Sequence, residues 1–109
     1  MAEAVELPLR DILPLTATLT SEGHLALGGC DTLELAREFG TPLYVFDEGT
    51  LRHQCRRFQA EFRSRHPDTA VAYAAKAYLG RALAALLAEE GMDLDVVSGG
   101  ELAIARSVD

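Results

Sequence analysis

The sequence is poor in lysine, cysteine and positive charge, and it has no long apolar run. Seventeen acidic residues against ten basic ones give 109 residues a formal net charge of −7, which argues against nucleic acid or an anionic membrane surface as the main partner. No apolar stretch is long enough to span a bilayer. The first residues, Met1 to Glu6, lack the basic region and apolar core of a signal peptide, so we expect a cytoplasmic protein.

Cysteine is scarce, and its placement argues against a disulfide framework or a metal centre. Cys30 and Cys55 form neither a CxxC pair nor a set with histidine at metal-binding spacing. We therefore expect two reduced thiols and no metal. His24 is expected to be a surface residue and not a ligand.

Lysine occurs once, as Lys76, at the end of an apolar run, while the other nine basic residues are arginines. A guanidinium stays protonated, whereas a desolvated amine can lose its proton and form a Schiff base with a carbonyl. Period-two alternation places Ala72, Ala74 and Lys76 on one face, where methyl groups leave room for a flat ring. The alternative, favoured by composition alone, is a strand-end lysine that extends into water.

The order of predicted elements indicates an α/β fold. Strand, helix, strand and helix follow one another at a spacing that favours parallel pairing through right-handed crossovers. Asp31 and Asp47 are predicted to cap helices, and Gly40 and Gly91 to end them. The predicted helices are 31–39, 47–65, 81–90 and one from Glu101, and the predicted strands are 43–46, 69–75 and 94–97.

The predicted helix 47–65 combines an apolar stripe with many arginines. Residues of the stripe recur at steps of four, three and four, which predicts a buried face that includes Cys55. The arginines fall mostly outside it, so a solvated face is favoured over an anion site. Two surface ion pairs are expected, Glu48 with Arg52 and Glu61 with Arg65. The stripe consists of Leu51, Cys55, Phe58 and Phe62.

The stretch 93–101 places polar residues in and after the last predicted strand. A carboxylate in the middle of a parallel strand needs a partner, so Asp95 is either functional or half of an ordinary buried ion pair. Asp93 is expected to be solvated at the start of the strand. Ser98 and Glu101 have the spacing of a capping box, which we favour over a phosphate-binding loop or a place for Glu101 in an active site.

Three segments of the chain resemble one family of enzymes. Residues 73–77 match its Tyr-Ala-x-Lys-Ala motif, and residues 96–102 and 41–47 resemble two further segments. From about Leu27 onward the sequence resembles the fold type III pyridoxal phosphate-dependent decarboxylases, and residues 96–102 most resemble the diaminopimelate decarboxylases among them. The family often has asparagine after the lysine motif, where this chain has Tyr78.

The resemblance implies a fold and a cofactor site. Residues 47–109 would begin an alanine racemase-like (β/α)₈ barrel of the TIM type, and residues 1–46 would associate with a second, all-β domain built as a sandwich or barrel. Lys76 would bind pyridoxal 5′-phosphate and act in catalysis, with Asp95 and Ala74 as further cofactor-contacting residues.

The resemblance also implies an activity: decarboxylation of meso-2,6-diaminopimelate to L-lysine and CO₂, the last step of lysine biosynthesis, by a homodimer. Two alternatives stay open, an ornithine- or arginine-type decarboxylase and a non-catalytic homologue that binds pyridoxal phosphate. A complete barrel takes about 200 to 250 residues. We therefore expect an N-terminal fragment that is inactive alone, with the phosphate-binding and substrate-recognising residues beyond Asp109.

Overall fold

The computed structural model describes residues 6–108. Residues 1–5, most of the segment considered above for a signal peptide, and Asp109 lie outside the described residues. The chain divides into two compact units, residues 1–51 and 52–109. Its elements are β1 (Thr18–Leu19), β2 (Leu25–Leu27), β3 (Cys30–Asp31), α1 (Thr32–Phe39), α2 (Glu48–Arg63), β4 (Ala72–Ala74), a 3₁₀ turn (Ala75–Ala77), α3 (Arg81–Glu89), β5 (Asp93–Asp95) and α4 (Gly99–Arg106).

The first unit contains a small antiparallel sheet in the order β1-β2-β3. Ala26, at the centre of β2, pairs with Thr18 on one side and Asp31 on the other, and it is buried. Gly28 and Gly29 adopt positive φ angles of 58° and 80° in the tight turn between β2 and β3, as the Gly-Gly pair predicts.

Helix α1 begins and ends where the sequence predicts. The side chain of Asp31 accepts a hydrogen bond from the Leu33 amide at 2.9 Å, and Gly40 ends the helix at a φ of 82°. His24 Nδ1 lies 2.8 Å from the other carboxylate oxygen of Asp31. This contact holds the pKa of the Asp31 carboxyl below its ordinary value.

The predicted strand 43–46 is wrong. Its four apolar side chains are all exposed, and within residues 6–108 no strand pairs with this segment. Aromatic and β-branched residues favour an extended backbone, but a strand also requires a neighbour that supplies its hydrogen bonds.

Asp47 is the predicted N-cap of α2, and the structure confirms it. Its buried carboxylate accepts hydrogen bonds from the amide of Thr50, at 3.0 Å, and from the Thr50 hydroxyl. The Thr50 hydroxyl, and to a lesser extent that of Thr16, lower the pKa of Asp47. The helix ends at Arg63, two residues before the predicted end.

The second unit is the α/β part of the chain. Strands β4 and β5 pair in parallel, with α3 between them in sequence and α4 after them. Helix α3 supplies most of the buried apolar residues and packs against α4. The chain leaves the helix at Gly91, whose φ is 71°. The buried apolar residues of this unit are Cys55, Ala75, Leu83, Ala84, Leu86 and Leu87.

The inward face of α2 differs from the predicted stripe. Cys55 is buried as predicted, which raises the pKa of its thiol, but Phe58 and Phe62 are each 54% exposed. Gln59 is buried in their place, one turn after Cys55, and its Nε2 donates to the Glu90 carbonyl at 2.8 Å. The face that α2 buries is therefore set by the end of α3 and not by hydrophobicity alone.

Two arginines of α2 are bound to carboxylates, contrary to the expected solvated face. Arg52 and Arg56 both hold Glu90, with nitrogen to oxygen distances of 2.9 Å, and Arg52 also binds Glu89 at 2.7 Å. The side chain of Glu90 is only 7% exposed. The expected surface pair of Glu61 with Arg65 is confirmed at 2.9 Å.

We expect Asp47→Ala to lower the free energy of unfolding by about 1–2 kcal/mol, because the first turn of α2 loses its cap. Asp47→Asn keeps a hydrogen-bond acceptor at the cap, so its free energy of unfolding should fall much less. Urea unfolding at pH 7 measures both changes. Equal losses in the two variants would show that the cap contributes little.

The Glu90 cluster should make stability depend on pH. Hydrogen bonds from Arg56 and Arg52 lower the pKa of Glu90, so its contribution is present above the unfolded-state pKa, about 4.3, and is lost as pH falls through the lower folded-state value. Glu90→Gln should therefore lower the Tm at pH 7, and the gap to wild type should narrow below about pH 4.

The control for this experiment is Glu89→Gln, which removes the adjacent carboxylate. Glu89 is 64% exposed, and within residues 6–108 its ion pair is with Arg52, so the expected change in Tm is small. If the difference in Tm between Glu90→Gln and wild type stays constant from pH 3 to 7, the ionised Glu90 carboxylate does not stabilise the fold.

Candidate functional site

The parallel pairing of β4 and β5 creates one open face of the small sheet. Ala72 lies opposite Asp93 and Ala74 opposite Asp95, and all four side chains are exposed. The intervening pair, Tyr73 and Leu94, is half-buried and faces the other way. Methyl groups and carboxylates thus share a surface with no bulky side chain from either strand.

Lys76 lies at the carboxyl edge of this face. The strand is shorter than predicted, because the backbone turns into the 3₁₀ turn at Ala75, and the turn rather than strand alternation determines the direction of Lys76. Ala75 is 2% exposed and anchors the turn, whereas Lys76 is exposed. Since parallel strands end at the same edge, the residues after β5 emerge beside the turn.

The Lys76 amine has no hydrogen bond or ion pair with any residue in the range 6–108. It is the only primary amine among the side chains of the sequence. An unengaged amine can condense with a carbonyl, and the adjacent Ala72 and Ala74 leave space for a planar ring. These residues fit the aldehyde and ring of pyridoxal phosphate.

Asp95 does not form the buried ion pair that was one of its two expected roles. It is exposed, and its side chain has no hydrogen bond or ion pair within the described part of the chain. The expectation failed because it assumed a sheet covered on both faces, whereas this face is open. That Asp95 and Ala74 contact a cofactor stays a prediction, as does the catalytic role of Lys76.

The capping box after β5 is confirmed. Ser98 Oγ accepts from the Glu101 amide at 3.1 Å and donates to Glu101 Oε2 at 2.9 Å. Glu101 Oε1 is buried and has no partner among residues 6–108. The Ser98 hydroxyl is therefore engaged in starting α4, as the preferred interpretation predicts.

One contact at the 3₁₀ turn that carries Lys76, called the lysine turn below, was not predicted from the sequence. The Tyr73 hydroxyl donates a hydrogen bond to the carbonyl of Tyr78 at 2.8 Å and so spans the turn that carries Lys76. Sequence alternation indicated only that Tyr73 faces away from the lysine. The available signal was chemical, since a partly buried tyrosine hydroxyl usually has a hydrogen-bond partner.

Residues 6–108 contain a separate group of potential metal ligands in the first unit. Glu22, His24 and Asp31 have ligand atoms within 4.8 Å of one another. Both carboxylate oxygens of Asp31 are already engaged, one by His24 and one by the Leu33 amide. The group therefore forms part of the hairpin and the cap of α1.

Comparison with known proteins identifies the family. Residues 48–109 match the family model described as the pyridoxal binding domain of pyridoxal-dependent decarboxylases. Within the described residues, no helix has both the length and the apolar character needed to cross a membrane.

Curated relatives named diaminopimelate decarboxylase match most of the chain. The protein of Synechocystis sp. is 44% identical over 87% of the chain, and those of Bacillus methanolicus and Bacillus subtilis are 48% and 47% identical over 80% of it. Each match covers 20% of the relative, so the chain spans about a fifth of the length of these proteins. The lysine turn and the strand with Asp95 both fall inside the matched domain, and the chain belongs to the pyridoxal-dependent decarboxylase family.

Proposed function

We propose that this chain is part of a pyridoxal phosphate-dependent decarboxylase that converts meso-2,6-diaminopimelate to L-lysine and CO₂. The observation that carries the proposal is the unengaged Lys76 amine beside an open, alanine-lined strand face. The names of the relatives support the choice of substrate.

We further propose that the second unit begins a (β/α)₈ barrel. The parallel β4-α3-β5 unit is the repeating element of such barrels, whose chemistry lies at the carboxyl ends of the strands. Lys76 follows β4 at that end. In this proposal the first unit associates with an all-β second domain, and the working enzyme is a cytoplasmic homodimer.

Bound pyridoxal phosphate supplies an electron sink for the negative charge left when CO₂ departs from the amino acid. The chain's own residues orient and hold the group. Lys76 would provide the amine that holds the aldehyde carbon of the group, and Ala74 would leave room for the flat ring. Asp95, opposite Ala74 in the strand register, places a negative charge on the same face, where it favours protonated nitrogen atoms.

The anchoring role of Lys76 is tested by borohydride reduction of the full-length protein that contains this chain, supplied with pyridoxal phosphate. We expect a pyridoxyl mass on the peptide that contains Lys76, because reduction converts the reversible linkage into a stable secondary amine. Lys76→Arg keeps the positive charge but cannot condense, so it is the control and should remain unlabelled. An unlabelled Lys76 in a folded, cofactor-supplied protein would refute the proposed function.

The substrate is tested in the same preparation by release of CO₂ from meso-diaminopimelate, ornithine and arginine. We expect release from diaminopimelate. Release from ornithine or arginine instead would support the proposed cofactor chemistry and refute diaminopimelate as the substrate. Trapping at Lys76 without release from any of the three would favour a homologue that binds pyridoxal phosphate without catalysis.

The role of Asp95 is tested against a matched carboxylate on the same strand. Asp95→Asn should lower kcat for decarboxylation on the order of tenfold, which corresponds to about 1.4 kcal/mol in the barrier, because the negative charge next to the cofactor is lost. Asp93→Asn removes the same charge two residues earlier, opposite Ala72, and should have a much smaller effect. Equal losses in the two variants would assign the effect to net charge and not to position.

A further inference from the structure

The turn that carries Lys76 has little side-chain packing of its own. Ala75, Lys76 and Ala77 form a single 3₁₀ turn, and the next residue, Tyr78, returns to an extended backbone with φ of −175° and ψ of 138°. Of these residues only Ala75 is buried. Short 3₁₀ segments have poorer hydrogen-bond geometry than α-helices, so a contact that spans the turn matters for its rigidity.

The Tyr73 hydroxyl provides such a contact. Its 2.8 Å bond to the Tyr78 carbonyl joins the central residue of β4 to the first residue after the turn. The bond closes a loop of six residues with Lys76 in its middle. It reduces the freedom of the backbone on both sides of the lysine.

Tyr73 reaches the turn from the side that the cofactor would not use. It pairs with Leu94 in the sheet register and is half-buried, whereas its neighbours Ala72 and Ala74 are exposed on the opposite face. The hydroxyl therefore holds the turn without occupying the alanine-lined face.

The far end of the turn is confined by Gly80. A Cβ atom at this position would lie 2.6 Å from the Tyr78 hydroxyl oxygen and 3.2 Å from Cζ, so the Tyr78 ring occupies space that only glycine leaves free. With its ring seated over Gly80, Tyr78 presents its carbonyl to Tyr73. Both ends of the lysine turn are thus held by neighbouring tyrosines.

We propose that Tyr73 is a positioning residue for Lys76, whose hydroxyl fixes the lysine turn by binding the Tyr78 carbonyl so that the amine meets the cofactor aldehyde in a restricted set of directions. This inference rests on the proposed function of Lys76. Tyr73 acts through the backbone and does not touch the cofactor itself. The benefit is that of pre-organisation, since an amine on a rigid turn needs less ordering to reach its partner.

The test compares Tyr73→Phe with Tyr44→Phe in the full-length protein that contains this chain. Both substitutions remove one hydroxyl from a tyrosine, but Tyr44 is 91% exposed and lies far from the lysine in sequence. Three readouts apply to each protein: hydrogen exchange of the amides in residues 75–79, borohydride trapping of pyridoxal phosphate at Lys76, and acetylation of Lys76 by a brief pulse of acetic anhydride. The last readout requires no cofactor, and it is measured on the peptide that contains Lys76, the one lysine of the 109-residue sequence.

For Tyr73→Phe we expect amide exchange in the turn to rise roughly fivefold, the opening expected from the loss of one neutral hydrogen bond. The rate of pyridoxal phosphate trapping should fall by a similar factor, while acetylation and the Tm stay close to wild type because the exposed amine remains accessible. Tyr44→Phe should match wild type in all three readouts.

Other results would overturn the inference. Unchanged exchange and trapping in Tyr73→Phe would refute the positioning role and leave the proposed function intact. Trapping and acetylation that fall together with the Tm would assign Tyr73 a purely structural role. An unlabelled Lys76 in the wild-type protein would refute the proposed function and this inference with it.

Discussion

The parallel register of β4 and β5 is the constraint on which the candidate site depends. Pairing Ala74 with Asp95 assigns both residues to one face and brings the ends of both strands to one edge of the sheet. A shift by one residue would turn the alanines and the aspartates to opposite faces. The alanine-lined face next to Lys76 would then carry Leu94 or Val96 beside Ala74, and it would lose the carboxylate of Asp95.

The register is maintained at the junction between α3 and β5. Glu90 lies at the end of α3. Its carboxylate forms ion pairs with Arg52 and Arg56, and its carbonyl accepts a hydrogen bond from the side chain of Gln59. The amide of Asp93, the first paired residue of β5, then donates to the carbonyl of Val71, the residue just before β4, at 3.0 Å. Polar contacts of α2 thus fix the point from which β5 starts, in a unit whose apolar core is small.

The lysine turn combines an accessible amine with a restrained backbone. Alanines on both sides of Lys76 keep the approach open but contribute little packing, so rigidity has to come from elsewhere. Ala75 supplies burial, and the Tyr73 hydroxyl supplies a hydrogen bond across the turn. A side chain that can react and a backbone that does not move freely are both needed for covalent binding of a cofactor.

Local signals in the sequence were enough for the helix caps at Asp31, Asp47 and Ser98 and for the α/β order of the second unit, although α4 begins at Gly99, two residues before the predicted start. Each helix cap is a side chain that accepts a hydrogen bond from an amide no more than three residues away, so the caps are determined by the local sequence. The capping residues are Asp31, Asp47 and Ser98. The inward face of α2 and the absence of a strand at residues 43–46 within the described chain were decided by the tertiary structure. Gln59 is buried because the Glu90 carbonyl, 31 residues away, accepts its hydrogen bond, and residues 43–46 form no strand because none of the strands in the described chain pairs with them. Such outcomes depend on partners distant in sequence, which periodicity and propensity do not encode.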